Sequence, residues 1–265
     1  MTYLDKILEG HREMSKADSR DLDKLFEKAN ALEPGRGFCD ALNRRTSNEV
    51  SIIAEIKRKS PSKGNLNVLL DPKSLALEYV SGGASAISVL TDSIHFGGSS
   101  EDLEIVSEST KIPILRKDFT VDQRDICDAK IMGADAVLLI VSALEKAELK
   151  RFIELSVLLG IDALVEVHDE DELECALKAG AYLIGVNQRD LRTFQVDTGR
   201  AVRLASEFPS DVTAVAESGI TKREEAQSLM YAGYAALLVG EFLVTSSNKS
   251  ENLRSLAFPE ENMLS

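Results

Sequence analysis

Glu55 and Lys57 stand two residues apart at the end of an otherwise apolar run, and Ser-Pro-Ser-Lys-Gly follows at 60–64. Side chains two apart on a strand project to the same face, so a carboxylate and an ammonium would leave one strand end together. Burying such groups among Val, Ile and Ala is costly unless they are paired or serve chemistry. The same kind of ending recurs along the chain. Apolar runs stop at Thr91-Asp92, at Arg116-Lys117-Asp118, at Ser142, at Glu166 and His168, at Asn187 and Arg189, at Glu217-Ser218 and at Gly240-Glu241. Lysines and glutamates set within a residue or two of the last apolar side chain are the residue types of general acid and base catalysis.

Eight short runs carry these endings: Val50–Ile56, Ala86–Leu90, Ile112–Leu115, Ala136–Val141, Ala163–Val167, Tyr182–Val186, Val212–Ala216 and Ala235–Val239. Most are rich in Val and Ile, as strands of a buried parallel sheet are. Stretches with helical spacing lie between them. Asp71-Pro72 opens one that Gly82-Gly83 stops, and others run over 122–132, 143–159, 170–179 and 221–232, each closed by a glycine. A glycine just past a helix suits the left-handed C-terminal cap, and Thr221 with Glu224 reads as a capping box. Eightfold strand–helix alternation predicts an α/β fold, a (β/α)8 TIM barrel. An open doubly wound sheet fits less well, since no G-x-G-x-x-G or Walker motif is present.

Residues 1–48 precede the first strand and read as two or three helices with too few apolar residues for a core of their own. They are expected to form a helical N-terminal extension of one domain, with the barrel at 49–250 and a tail at 251–265. A chain of 265 residues is within the range of a single α/β barrel. The net charge of −13 argues against nucleic acid or an anionic membrane as partner, and no run is long enough for a membrane span. Cys39, Cys127 and Cys175 are odd in number and widely spaced, which fits neither a zinc site nor a disulfide framework and suits a reducing cytoplasm. His11, His95 and His168 are too scattered to mark a metal site; surface or loop roles are expected, with His168 a candidate to line the site because it lies two past Glu166.

In such a barrel the catalytic groups gather where strands end. A phosphate commonly sits between the loops after the seventh and eighth strands, where glycines let backbone N–H groups approach an anion. Here those loops carry Ser218-Gly219-Ile220 and Val239-Gly240-Glu241.

With these positions fixed, the chain resembles the indole-3-glycerol-phosphate synthase family over nearly its whole length. The resemblance is carried by IAEIKRKSPSKG at 53–64, SVLTD at 88–92, PILRKDF at 113–119, GADAVLLI at 133–140, LVEVHDEDEL at 164–173, IGVNQRDL at 184–191, AESGI at 216–220 and LVGEFL at 238–243. It implies a cofactor-free and metal-free ring closure in tryptophan biosynthesis, in which 1-(2-carboxyphenylamino)-1-deoxyribulose 5-phosphate loses carbon dioxide and water. It also implies residue roles. Lys117 would be the general acid at the carbonyl oxygen. Glu55 and Glu166 would support closure and dehydration, with Lys57 paired to Glu55. Asn187 would hold a substrate hydroxyl or carboxylate. Ser60, Arg189, Ser218, Gly219, Gly240 and Glu241 would contact phosphate and hydroxyls, with Glu217 beside them, and Phe96 and Phe119 would wall the aromatic ring.

An acidic protein binding a doubly anionic substrate must gather cations at one face. Lys57, Arg58, Lys59, Lys63, Arg116, Lys117, Arg189 and Arg192 are the expected cluster, with Arg116 and Lys57 expected to lower the pKa of Lys117. The partner is then a small anionic molecule, and a monomer is the expected state. Two rival readings stay open: a sugar-phosphate barrel such as a Schiff-base aldolase using Lys117 or Lys57, and a phosphate-binding barrel without turnover.

Overall fold

The computed structural model describes residues 2–44 and 49–257. Eight parallel strands close into a barrel: β1 (Ser51–Ile56), β2 (Ala86–Leu90), β3 (Ile114–Lys117), β4 (Ala136–Ile140), β5 (Asp162–Val167), β6 (Leu183–Asn187), β7 (Thr213–Glu217) and β8 (Ala236–Val239). Neighbours in chain order pair with one another, and β8 pairs back onto β1. This is the (β/α)8 architecture that the alternation predicts.

Period-two alternation divides every strand between two cores. Ile53, Leu115, Leu138, Leu164, Leu183, Val215 and Leu238 pack inside the barrel, while Ile52, Ala54, Ile87, Val137, Val165, Ile184 and Leu237 pack outward under the helices. By that parity Glu55, Lys117, Glu166, Asn187 and Glu217 continue the inward set at the C-terminal strand ends. Three strands run past the last apolar residue of their predicted segments. β3 starts after Pro113, two residues later than expected, and carries Arg116 and Lys117; β6 ends on Asn187 and β7 on Glu217. Backbone pairing continues where hydrophobicity stops, because the top of the barrel interior is polar.

The surrounding helices include α4 (Pro72–Ser81), α7 (Gln123–Ile131), α8 (Lys146–Leu158), α9 (Glu170–Lys178) and α11 (Arg223–Tyr231). The expected Thr221–Glu224 cap is displaced by one residue. Glu225 is the carboxylate that reaches back, accepting the N–H groups of Thr221 and Lys222 at 2.8 and 3.0 Å, and the Thr221 hydroxyl donates to it instead of capping the helix. Helix α13 (Lys249–Ala257) crosses the boundary expected at 250/251. It buries Leu253 and Leu256, and its Ala257 carbonyl accepts the Val50 N–H at 3.0 Å, just before β1. Between β1 and α4 a small antiparallel hairpin pairs Lys59–Ser60 with Gly64–Asn65.

The N-terminal segment wraps the barrel from top to bottom. Helix α1 (Tyr3–Ala17) lies near the strand C-terminal ends, where Arg12 bonds the Ala143 carbonyl at 2.9 Å and Glu148. Helix α2 (Leu22–Asn30) packs on α7. Helix α3 (Phe38–Leu42) plugs the barrel floor with fully buried Phe38 and Leu42. Arg36 pins this path: its side chain pairs with Asp135 at 2.7 Å and donates to the carbonyls of Gly133 and Thr110. Asp135 is buried at the start of β4 and also accepts the Ile114 N–H. Arg36→Ala strips a buried carboxylate of its cation, so it is expected to lower the unfolding free energy by about 2–3 kcal/mol in urea titration. Turnover per folded molecule should stay unchanged.

Candidate active site

The inward polar residues converge on one cavity of about 530 Å³ at the C-terminal mouth of the barrel. Glu55, Lys57, Ser60, Phe96, Lys117, Phe119, Asn187, Arg189, Glu217, Ser218, Gly219, Gly240 and Glu241 all line it. Of the residues given a catalytic or substrate-contact role from the resemblance, Glu166 is the one outside the lining. It lies beneath, 1% exposed, where Lys117 Nζ reaches one oxygen at 3.5 Å and Asn187 Nδ2 donates to the other at 3.0 Å.

The floor is a compact charge cluster. Lys117 Nζ is 3.5 Å from Glu166 and 3.6 Å from Glu217, and Lys57 Nζ is 2.5 Å from Glu55 Oε1. Two glycines make room for it. A Cβ at Gly185 would overlap Glu217 Oε1, and one at Gly240 would overlap Glu55 Oε1. Gly185 inside β6 marks such a close approach, Gly240 just past β8 does the same, and at both the neighbour is a carboxylate.

The two carboxyls beside Lys117 titrate in opposite directions. Burial alone would raise Glu166, yet the charges of Lys117 and His168 and the Asn187 hydrogen bond outweigh it and hold Glu166 below the ordinary carboxylate range. Glu217 is equally buried, and its Oε1 has no hydrogen-bond partner. Burial, opposed by Lys117 but reinforced by the charges of Glu166 and Glu55, pushes Glu217 up to about 8. For Lys117, burial disfavours the ammonium, but Glu166, Glu217 and Glu55 together hold its pKa above the ordinary lysine value.

That result reverses the expected lowering of Lys117. Arg116 points outward by strand parity and bonds the Asp125 carbonyl at 2.7 Å and Asp118 at 3.2 Å, while Lys57 is held by Glu55. The expected cation cluster is also thinner. Arg58 pairs with Asp102, Lys59 donates to the Ile94 carbonyl, and Arg192 is outside the cavity lining, which leaves Lys57, Lys63, Lys117 and Arg189.

At the mouth, Glu241 lies 3.7 Å from Lys63 and 3.9 Å from Arg189, and Arg189 also reaches the Ser62 hydroxyl at 3.3 Å. These contacts draw the hairpin toward the loops after β6 and β8. Ser218 and Gly219 adopt left-handed backbone in succession, with φ of 66° and 75°. A serine in that region is strained, a trait that clusters at functional sites. On the opposite wall Phe96 and Phe119 sit with ring centroids 6.3 Å apart.

Several contributors escaped the sequence reading. Phe194, also left-handed at φ 60°, lines the cavity beside Leu138, Leu191 and Phe242. Strain at a phenylalanine leaves no mark in composition, whereas Gly185 inside an apolar strand was a usable signal. His168 lies in the bend after β5, as the loop expectation has it, but it and His11 are more buried than a surface role implies. His11 is half-buried, bonded to Asp92 at 3.1 Å and packed against Phe119; His168 sits behind Glu166 rather than lining the cavity. Among the described residues, His11, Asp92 and Asp118 bring ligand atoms within 4.8 Å of one another. Their oxygens are engaged with protein donors, since Asp92 accepts the N–H groups of His95 and Phe96, and Asp118 is bonded to Arg116 and Thr91.

Residues 4–256 match the family model described as indole-3-glycerol phosphate synthase. The chain is 47% identical to a protein of that name from Chloroherpeton thalassium, covering 93% of this chain and 96% of the relative. It is 46% identical to one from Koribacter versatilis, covering 92% and 94%. Among solved structures, thiamine phosphate pyrophosphorylase from Pyrococcus furiosus superposes with a TM-score of 0.60 at 15% identity, over 79% of this chain and 95% of that one; this likeness concerns the fold alone. No helix among the described residues is long and apolar enough to cross a membrane.

The ionisation pattern sets a pH test. A carboxyl raised in the folded state keeps its proton there while the unfolded chain releases it, so its contribution to stability falls as pH rises from the ordinary glutamate value to about 8. Glu217→Gln removes this dependence. The stability of the variant relative to the parent should therefore climb between pH 5 and about 8 and level off above, read by urea denaturation across that range.

Proposed function

The chain belongs to the indole-3-glycerol phosphate synthase family, and on that premise we propose how its residues carry the reaction. The enzyme is a decarboxylating lyase of tryptophan biosynthesis. The ring carbon bearing the carboxylate of 1-(2-carboxyphenylamino)-1-deoxyribulose 5-phosphate attacks the ribulose carbonyl, carbon dioxide leaves, and water is eliminated to form the indole ring.

In this reading Lys117 protonates the carbonyl oxygen as the carbon–carbon bond forms. A carbonyl becoming an alkoxide needs a proton and a positive field, and a buried ammonium supplies both. The observation that carries the reading is the placement of that ammonium at the cavity floor, 3.5 and 3.6 Å from Glu166 and Glu217. Glu166, held ionised, is the group that accepts a proton, and Glu217, held neutral near pH 7, is one that can return it. The Glu55–Lys57 pair faces the departing hydroxyl from the opposite side of the floor. Asn187 fixes Glu166 and offers a contact to a substrate hydroxyl or carboxylate.

The substrate's two ends suit the two ends of the cavity. Phe96 and Phe119 form an apolar wall for the anthranilate ring. Ser60, Arg189, Ser218, Gly219, Gly240 and the backbone of Glu241 gather where the phosphate would lie, with Lys63 near them. A single chain supplies all of these groups, which supports a monomer as the working unit. The free thiols of Cys39, Cys127 and Cys175 are in keeping with a cytoplasmic setting. The Schiff-base alternative needs a lysine with a lowered pKa and a free amine, and the carboxylates around Lys117 favour the opposite state.

Lys117→Ala should lower kcat/KM by ~10²–10⁴-fold, the usual effect of losing a general acid. The assay follows indole fluorescence from the anthranilate-deoxyribulose phosphate. Near-normal turnover would remove Lys117 from the acid role, and a borohydride-trapped lysine adduct would favour the aldolase reading.

A further inference from the structure

The groups that act directly on substrate do not explain why two carboxyls equally buried beside one lysine differ in ionisation. Glu166 and Glu217 are each 1% exposed and lie at nearly equal distance from Lys117. They differ in what stands behind them. Glu217 Oε1 has no partner, whereas Glu166 Oε1 accepts Asn187 and faces His168 Nε2 at 3.6 Å.

His168 follows β5 by the same inward parity as Glu166 and is mostly buried, its side chain 14% exposed. Its Nδ1 is 3.0 Å from Glu172 Oε2, an oxygen that also accepts the His168 backbone N–H at 2.8 Å. Glu172 lies in the first turn of α9, so the helix start fixes both the carboxylate and the ring. Nε2 is buried and makes no hydrogen bond, and Glu166 Oε1 lies 3.6 Å from it. We propose that His168 is a positioning residue of the ring-closing site: anchored by Glu172, it sets a positive charge directly behind Glu166 and steadies that carboxylate beside Lys117. The proposal rests on the reading that Glu166 acts in ring closure.

The charges facing His168 come from several elements and do not all agree. Glu166 on β5 and Glu172 on α9 favour the imidazolium, as do Asp190 in the loop after β6 and, when ionised, Glu217 on β7; Arg200, at the start of the short helix Arg200–Leu204, opposes it. Burial also opposes the charge, but the two glutamates outweigh both, and the histidine is held above its ordinary pKa. Asn187 alone offers a neutral hydrogen bond. Its donated hydrogen bond also favours the ionised Glu166, and the charge of His168 adds to it.

The test is the pH dependence of kcat for His168→Gln, which keeps a polar side chain of similar reach and removes the charge. Removing a cation raises the pKa of a nearby carboxylate, so the acidic limb of the profile should move up by about one pH unit. Activity low on that limb should fall by about tenfold, while KM changes little. Glu172→Gln frees the ring without deleting it and should shift the limb in the same direction by less, which keeps the test available if His168→Gln folds poorly. An acidic limb unmoved in both variants, whatever the fall in kcat, overturns the role given to His168. Full activity in Glu166→Gln would instead overturn the reading beneath it, and the proposal with it.

Discussion

An ammonium stripped of water must recover its solvation from the protein, and the top of this barrel is arranged around that requirement at Lys117. Three carboxyls, Glu55, Glu166 and Glu217, bear on it, and a second ammonium, Lys57, is tied to Glu55. Lys57 is matched by Glu55, and Lys117 together with His168 by Glu166, so the third carboxyl keeps its proton at neutral pH. That proton falls on Glu217, the member with an unpartnered oxygen and the weakest compensation for burial. An acid, a base and a shared cation thus arise from one electrostatic balance rather than from separately tuned residues. Coupled groups of this kind titrate as a set, so exchanging any one of them changes the others.

The rest of the fold serves that balance. Gly185 and Gly240 leave the space into which Glu217 and Glu55 turn. Asn187 stands opposite Glu217 across the β6–β7 ladder and reaches back to Glu166, which lets neighbouring strands fix one network. Outside the barrel, Arg116 is consumed by Asp118 and the Asp125 carbonyl, which keeps a second cation away from Lys117. The hairpin at 59–65 and the loops carrying Arg189 and Glu241 meet at the cavity mouth, where Glu241 lies near Lys63 and Arg189. The N-terminal helices add the floor plug at Phe38 and Leu42 and bring His11 against the Phe119 wall.

Much of this was legible in the amino-acid order because the barrel obeys a period of two. Glu55, Lys117, Glu166, Asn187 and Glu217 all share the parity of the inward apolar residues, so reading where hydrophobic runs end was enough to find them. The run ends themselves were misjudged at Lys117, Asn187 and Glu217, since pairing persists into the polar layer that chemistry demands. Electrostatics was the least legible part. Arg116 is adjacent to Lys117 in sequence but faces the other side of the strand, while the charges that govern Lys117 come from β1, β5 and β7. No local pattern could give the sign of that shift. The roles of His11 and His168 were hidden for the same reason, because their partners lie on other elements or one helical turn away. Motif order across eight strands pointed to the family directly, and the family match over residues 4–256 agrees with it.

The chemistry of this site depends on how protons are divided among the floor carboxyls. Carboxyl NMR of protein carrying ¹³C-labelled glutamate, assigned with Glu166→Gln and Glu217→Gln, would read it directly. Glu217 should titrate at about 8, with Glu166 ionised down to below the ordinary glutamate range. Two carboxyls that both remain ionised from pH 5 upward, or that titrate in the reverse order, would contradict it.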